Sequence, residues 1–134
     1  MKSIILCEGS SDYVLIQYYM RKAHLWEDKG MEKNNCREKI KYIRTLVKGQ
    51  SYLSIGSCGG CSRIIPAFDY LLKRNKIAVQ DEIFDNIVII TDRDEIGTEE
   101  IFVERIRETL DKYQVLGVDR IGNNEWLCGY YLNG

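Results

Sequence analysis

The sequence predicts an α/β fold with a parallel sheet of about four strands and helices on both faces. Short apolar runs alternate along the chain with segments whose apolar residues recur at helical spacing. Apolar runs of this kind are typical of parallel strands that are buried on both faces. Their alternation with helices predicts the parallel sheet. A length of 134 residues is most simply one domain, residues 1–134.

The first predicted strand, "SIILC" (3–7), is followed by Gly and Ser and then by a predicted helix over residues 12–22. Asp12 stands at the start of this helix as a candidate N-cap. The apolar residues at helical spacing are Val14, Leu15, Tyr18 and Tyr19. We therefore expect these four side chains to share the face that packs on the sheet.

A polar connection is predicted over residues 24–35, and a second helix over residues 36–49. The apolar side chains on one face of this helix would be Ile40, Ile43, Leu46 and Val47. Gly49 is predicted to end the helix. The sequence thus predicts a basic helical insertion near residues 30–50.

Two strand–helix pairs and a final strand complete the pattern. "YLSIG" (52–56) leads through "SCGG" into a predicted helix over 61–75, and "NIVIIT" (86–91) leads into one over 98–113. "QVLGV" (114–118) is predicted to be another strand. The tail "EWLCGYYLNG" is apolar and stops abruptly, which is consistent with a fragment of a longer protein.

Composition excludes several classes of function. The formal net charge is −1, so contact with nucleic acid would need a local basic patch. No apolar run approaches the roughly 18 residues of a membrane span, and Glu8 and Asp12 follow the first apolar run where a signal peptide would stay apolar. The five cysteines are an odd number, which fits reduced thiols better than a disulfide framework. We expect a cytoplasmic protein without a membrane partner.

Carboxylates directly follow two of the predicted strands. Glu8 comes after the first strand, Asp92 and Asp94 come after "IVIIT", and Asp12 lies one helical turn past Glu8. The C-terminal ends of parallel strands meet at one edge of a sheet, where ligands bind. Two carboxylates about 5 Å apart repel by roughly 3 kcal/mol at an effective dielectric constant near 20. A divalent cation removes this repulsion and oxygen ligands favour Mg²⁺ or Mn²⁺, so the sequence predicts a metal site.

Helix capping is the alternative role for these side chains. Aspartate and threonine often cap helices that follow strands, and Asp12 and Thr98 both stand at such positions. A D-x-D pattern alone does not distinguish capping from metal binding. The combination with Glu8 and Gly9 after the first strand favours the metal site.

These motifs resemble those of the toprim domain family. "ILCEGSSD" (5–12) resembles its first motif, in which an apolar strand is followed by Glu-Gly and then by Asp. "TDRDEIG" (91–97) resembles its D-x-D-x-x-G motif, and "SIGSCGG" (54–60) resembles its middle strand. The resemblance covers residues 3–118 and implies a Rossmann-like toprim fold, as in small stand-alone toprim proteins and OLD-type nucleases.

The resemblance also implies roles for the four carboxylates. Glu8 would act as the general acid or base or as a metal ligand. Asp92 and Asp94 would hold Mg²⁺ and take part in catalysis. The OLD-type arrangement would add Asp12 to the metal ligands.

The "CGGC" segment (58–61) has two competing interpretations. A C-x-x-C between a strand and a helix resembles the thioredoxin active site, where the helix N-terminus would lower the pKa of Cys58. That fold also places a cis-proline loop opposite the dithiol, and Pro66, the only proline, lies in the helix instead. In the toprim interpretation Gly59 and Gly60 let the backbone approach the site, and the N-terminus of the following helix would favour a bound phosphate. Arg63 on that helix is a candidate phosphate contact, and the alternative, which is the commoner case, is an exposed side chain of the helix.

Residues 33–48 are a candidate nucleic-acid face. Their basic residues are Lys33, Arg37, Lys39, Lys41, Arg44 and Lys48, against one acid, Glu38. We name Lys39 and Arg44 as candidate phosphate contacts. The solvated side of an amphipathic helix explains the same charges, so both interpretations stay open.

The predicted function is Mg²⁺- or Mn²⁺-dependent phosphodiester hydrolysis on DNA or RNA by a toprim-type nuclease. Two alternatives stay open. One is a non-catalytic metal- or nucleotide-binding module of a larger protein, which would act with a partner domain or in an oligomer. The other is a thioredoxin-like thiol oxidoreductase that uses Cys58 and Cys61.

Overall fold

A computed structural model describes residues 1–31, 39–79, 82–91, 98–118, 120–121 and 126–131. Within these ranges the helices are α1 (Ser10–Ala23), α2 (Ile64–Ile77) and α3 (Thr98–Lys112), with a short 3₁₀ turn at Cys61–Arg63 before α2. The strands are β1 (Lys2–Cys7), β2 (Glu27–Met31), β3 (Tyr42–Lys48), β4 (Ser51–Ser57), β5 (Asn86–Ile90), β6 (Val115–Leu116) and β7 (Tyr130–Tyr131). No helix in these ranges has both the length and the apolar character that crossing a membrane would require.

Five strands form the main sheet in the order β2-β3-β4-β1-β5. β1 lies between β4 and β5 and is parallel to both. β3 is antiparallel to β4, and β2 is antiparallel to β3. The α/β class is therefore confirmed, but the sheet is mixed and five-stranded instead of purely parallel with about four strands. The parallel part consists of the three strands that the sequence places directly before a helix.

The predicted helix over residues 36–49, and with it the basic helical insertion near 30–50, is wrong where the chain is described. Residues 42–48 are strand β3, and a two-residue hairpin loop joins β3 to β4. Gly49 has a φ of +61° in that loop, so it is a turn residue and not a helix stop. The Tyr, Ile, Thr and Val side chains of β3 favour a strand, and pairing with β4 satisfies its backbone.

Two shorter segments also differ from the prediction. The polar connection at 24–35 contains β2, whose strand conformation depends on pairing with β3 and not on an apolar pattern of its own. The predicted strand over 114–118 is present as β6, but it pairs with β7 in a separate two-stranded sheet instead of joining the main one. In neither case does the sequence of the segment indicate its partner. The partner strand either is distant in the sequence or has no local pattern that predicts a strand.

Helices cover both faces of the main sheet, as predicted. On one face, Leu6 of β1 belongs to a buried cluster with Leu71 of α2 and Ile106 of α3. On the other face, Cys7 of β1 belongs to a second cluster with Tyr13 of α1. Successive residues of a strand point to opposite faces, so β1 serves both cores.

Helix α1 packs on the sheet through a different face from the predicted one. Tyr13 is buried, and Ile16 and Met20 pack against the same cluster. The predicted face is exposed instead, with exposed fractions of 53% for Val14, 66% for Leu15, 56% for Tyr18 and 55% for Tyr19. Both sets recur at helical spacing, and at about 100° per residue they lie on nearly opposite sides of the helix, about 160° apart. Spacing therefore identifies the helix but not the side that packs.

Candidate functional site

The C-terminal ends of β1, β4 and β5 lie side by side at one edge of the main sheet, called here the carboxyl edge. The last residues of these strands, Cys7, Ser57 and Ile90, are level with one another in the register. Side chains that follow parallel strands at such an edge can share one ligand. Glu8 directly follows β1 and lies at this edge.

Glu8 connects the ends of the three parallel strands through both its backbone and its side chain. Its carbonyl oxygen accepts hydrogen bonds from the amides of Gly59, at 3.0 Å, and Gly60, at 2.7 Å. Its carboxylate Oε1 accepts a hydrogen bond from the hydroxyl of Thr91. Thr91 directly precedes Asp92 in the sequence. The carboxylate of Glu8 thus contacts the last described residue before the D-x-D motif.

Asp12 lies in the first turn of α1 and not at the N-cap, so its predicted capping role is wrong. The helix begins at Ser10, and Gly9 occupies the N-cap with an extended backbone. A carboxylate in the first turn is stabilised by the helix dipole. Burial, the charge of Asp12 and the neighbouring Cys58 together raise the pKa of Cys7 to about 12. Asp12 is four residues after Glu8, in the first turn of the helix that follows the end of β1.

Two members of the predicted metal set, Glu8 and Asp12, therefore belong to the carboxyl edge. Both offer oxygen atoms, the ligands that Mg²⁺ and Mn²⁺ prefer. Within the described ranges, no three His, Cys, Asp or Glu side chains form a group that could hold a metal ion. Asp92 and Asp94, the other two members, lie outside the described residues. The donor chemistry of the described pair fits a hard divalent cation, which would need further oxygen ligands.

Gly59 and Gly60 form the tight turn that follows β4. Their φ angles are +91° and +141°, in the region that favours glycine. Because both amides bind the carbonyl oxygen of Glu8, the turn is held against the end of β1. The backbone therefore turns sharply beside Glu8, and the phosphate-binding role of the glycine pair stays a prediction.

The side chains of Lys41 and Arg63 both lie against Gly59. A Cβ atom built on Gly59 would be 3.5 Å from Cδ of Lys41 and 3.7 Å from Cδ of Arg63. Lys41 reaches this place because β3 runs antiparallel to β4, and its amide donates to the carbonyl oxygen of Ser57 at 2.9 Å. Sequence reasoning counted Lys41 only as one charge of a helix, because nothing local signals the pairing of β3 with β4.

The two other candidate phosphate contacts differ from each other in their surroundings. Lys39 is exposed two residues before Lys41. Arg44 lies within β3, where its guanidinium pairs with Asp28 at 2.5 Å and donates to the hydroxyl of Tyr13 at 3.3 Å. Arg44 thus links β3 to β2 and α1, and its charge is largely balanced by Asp28.

Cys58 does not have the properties of a reactive thiol. The residue is 1% exposed, and burial raises its pKa to about 11 although the charge of Arg63 acts in the opposite direction. The expectation that a helix N-terminus lowers this pKa is wrong, since α2 begins only at Ile64 and desolvation dominates. A protonated, buried thiol is a poor nucleophile, which argues against the oxidoreductase interpretation.

We expect iodoacetamide at pH 8 to alkylate Cys58 at least about a hundredfold more slowly than the exposed Cys128. With a pKa of about 11, only about one Cys58 side chain in a thousand is a thiolate at pH 8, and burial hinders access further. Mass spectrometry of tryptic peptides gives the two rates. Equal rates would restore Cys58 as a candidate nucleophile.

Comparison with known proteins shows a fold but no family. No family model matches the chain, and no curated protein matches it. The chain is similar to the crystal structure of a hypothetical protein from Pyrococcus horikoshii OT3, with a TM-score of 0.64 and 18% sequence identity. The match covers 91% of this chain and 49% of that one, so the chain spans about half the length of the solved structure. At this identity the similarity concerns the fold alone.

Proposed function

We propose that this chain catalyses Mg²⁺- or Mn²⁺-dependent hydrolysis of phosphodiester bonds in DNA or RNA, as toprim nucleases do. The observation that carries the proposal is the hydrogen bond between Thr91 and the carboxylate of Glu8. It brings the residue before Asp92 to the acid that follows β1. Glu8 and Thr91, which are 83 residues apart in the sequence, are therefore neighbours at the carboxyl edge, and Asp92 follows Thr91 directly.

The carboxylates would have different roles in the reaction. A bound divalent cation supplies positive charge to the phosphate and lowers the pKa of a water molecule. Asp12, Asp92 and Asp94 would act as ligands of that cation. Glu8 would also accept or donate a proton, and the hydroxyl of Thr91 holds one of its carboxylate oxygens in place.

The test is hydrolysis of end-labelled single- and double-stranded DNA and RNA by the purified chain. We expect cleavage of at least one of these substrates with Mg²⁺ or Mn²⁺ and none with EDTA, because the carboxylates alone repel the phosphate. Gel electrophoresis of the products measures the activity. Cleavage that EDTA leaves unchanged, or no cleavage of any substrate, would contradict the proposal. A nucleic-acid partner and a cytoplasmic location stay predictions that belong to this function.

A non-catalytic metal- or nucleotide-binding module is the second candidate. The observation that favours it is the small number of metal-ligating side chains within the described part of the carboxyl edge. This alternative requires a partner domain or oligomer for any chemistry. Calorimetric binding of Mn²⁺ by a chain that cleaves none of the four substrates would support the module over the nuclease.

A further inference from the structure

We infer that Lys41 and Arg63 form a phosphate clamp, a pair of cations that binds the phosphodiester backbone of a nucleic acid beside Glu8. The inference rests on the proposed function, because it names the part of the same site that would hold the substrate. Its evidence is separate from the carboxylates, however. This evidence comes mainly from the position of β3, the strand that directly follows Lys41 and that the sequence predicted to be part of a helix.

Lys41 is placed at the carboxyl edge by the pairing of β3 with β4. Strand β3 is antiparallel to β4, so its first residue, Tyr42, pairs with the last residue of β4, Ser57. Lys41 therefore lies at the carboxyl edge, next to the segment that carries Gly59 and Gly60. Lys39, two residues earlier in the sequence, is also exposed.

Two cationic side chains converge on one glycine, Gly59. The Cδ methylene groups of Lys41 and Arg63 both lie within van der Waals distance of the place that a Cβ atom on Gly59 would occupy. The amide of Gly59 is bonded to the carbonyl oxygen of Glu8. Two cationic side chains and the main chain of Glu8, the candidate catalytic acid, thus meet at the same short turn. A phosphate between these cations would have its ester bond near the proposed metal ligands.

Aromatic rings support the side chain of Lys41. Its ammonium nitrogen lies 5.4 Å from the centre of the Tyr42 ring, a distance at which a cation and an aromatic ring attract. The Tyr42 ring in turn lies 6.3 Å from the ring of the buried Tyr13. Lys41 is an exposed residue whose ammonium group is positioned by the Tyr42 ring, which suits a contact with a polyanion.

The strand conformation also separates bases that a helix would bring together. Seven residues along a helix span about 10 Å on one face, so Lys41 and Lys48 would contact the same backbone. Seven residues along a strand span about 23 Å, which puts Lys48 at the opposite edge of the sheet. There its ammonium group donates to the carbonyl oxygen of His24 at 2.7 Å. Lys48 is therefore a matched control for Lys41.

The test compares two double variants that lose the same charge. Lys41→Gln/Arg63→Gln removes the clamp, and Lys48→Gln/Lys76→Gln removes two bases from the other end of β3 and from the end of α2. The probe is a fluorescein-labelled 20-nucleotide DNA or RNA, single- or double-stranded, in EDTA at about 50 to 200 mM salt. Fluorescence anisotropy gives Kd at each salt concentration.

We expect the clamp variant to bind the probe roughly tenfold more weakly than wild type and the control variant within about twofold of it. The slope of log K against log salt should fall by about 1.4 for single strands or 1.8 for duplexes, since two phosphate contacts are lost. Lys41→Arg should retain affinity because it keeps the charge. Circular dichroism checks that every variant is folded.

Each outcome separates the clamp from the proposed hydrolysis. Equal weakening in the two double variants would mean that net charge alone matters and would overturn the clamp. Absence of wild-type binding would overturn it as well. Selective loss in the clamp variant, together with a wild type that cleaves nothing, would retain the clamp and reject the nuclease.

Discussion

Glu8→Gln is expected to reduce metal-dependent hydrolysis by at least about a hundredfold without unfolding the protein. The substitution keeps the size of the side chain and an oxygen that can accept the hydrogen bond from Thr91. It removes the negative charge and the ability to exchange a proton, which are the properties that the proposed chemistry uses. The rate is measured on whichever substrate the wild type cleaves, over a series of Mg²⁺ concentrations.

Two further variants show whether a loss of activity in Glu8→Gln comes from the proposed carboxylate site. Asp92→Asn should lose activity to a similar extent, since Asp92 is a proposed metal ligand. Glu27→Gln makes the same chemical change on the exposed first residue of β2, at the other end of the sheet, and should leave the rate unchanged. Full activity in Glu8→Gln or in Asp92→Asn would remove the carboxylate site from the explanation of any cleavage seen.

Leu6→Ala is expected to lower the free energy of unfolding by about 3 kcal/mol. Leu6 has no exposed surface and lies on the central strand, in the cluster that joins β1 to α2 and α3. Truncation loses the burial of three carbon atoms and leaves a cavity that a sheet flanked by two helices cannot easily close. The loss is a large fraction of the stability of a domain of this size. Urea denaturation followed by circular dichroism measures it.

Leu15→Ala is the matched control for the core variant. Leu15 was predicted to face the sheet, but it is 66% exposed on α1. The same deletion there should change the free energy of unfolding by less than about 0.5 kcal/mol. A cost at Leu15 as large as that at Leu6 would mean that α1 packs through the face that spacing predicted.

The candidate site was predictable from sequence where its residues directly follow strands. The position of Glu8 required only a buried strand and the polar residue after it. Predicting the position of Lys41 required knowing that β3 pairs with β4. The sequence does not show this pairing, because the apolar spacing of the seven residues of β3 fits either a helix or a strand. Arg44 shows the same limit, since its ion pair with Asp28 depends on the pairing of β3 with β2.

The sequence by itself determined the α/β class, the three strands that precede helices and the acid at the end of the first strand. These features are local, because a buried strand must be apolar and a tight turn such as Gly59–Gly60 requires glycine. Only the tertiary structure decided that residues 42–48 are a strand, which side of α1 is buried and where Lys41 lies. The physical reason is that backbone pairing and side-chain burial join residues far apart in the chain, and their free energy exceeds the small local preference for helix or strand.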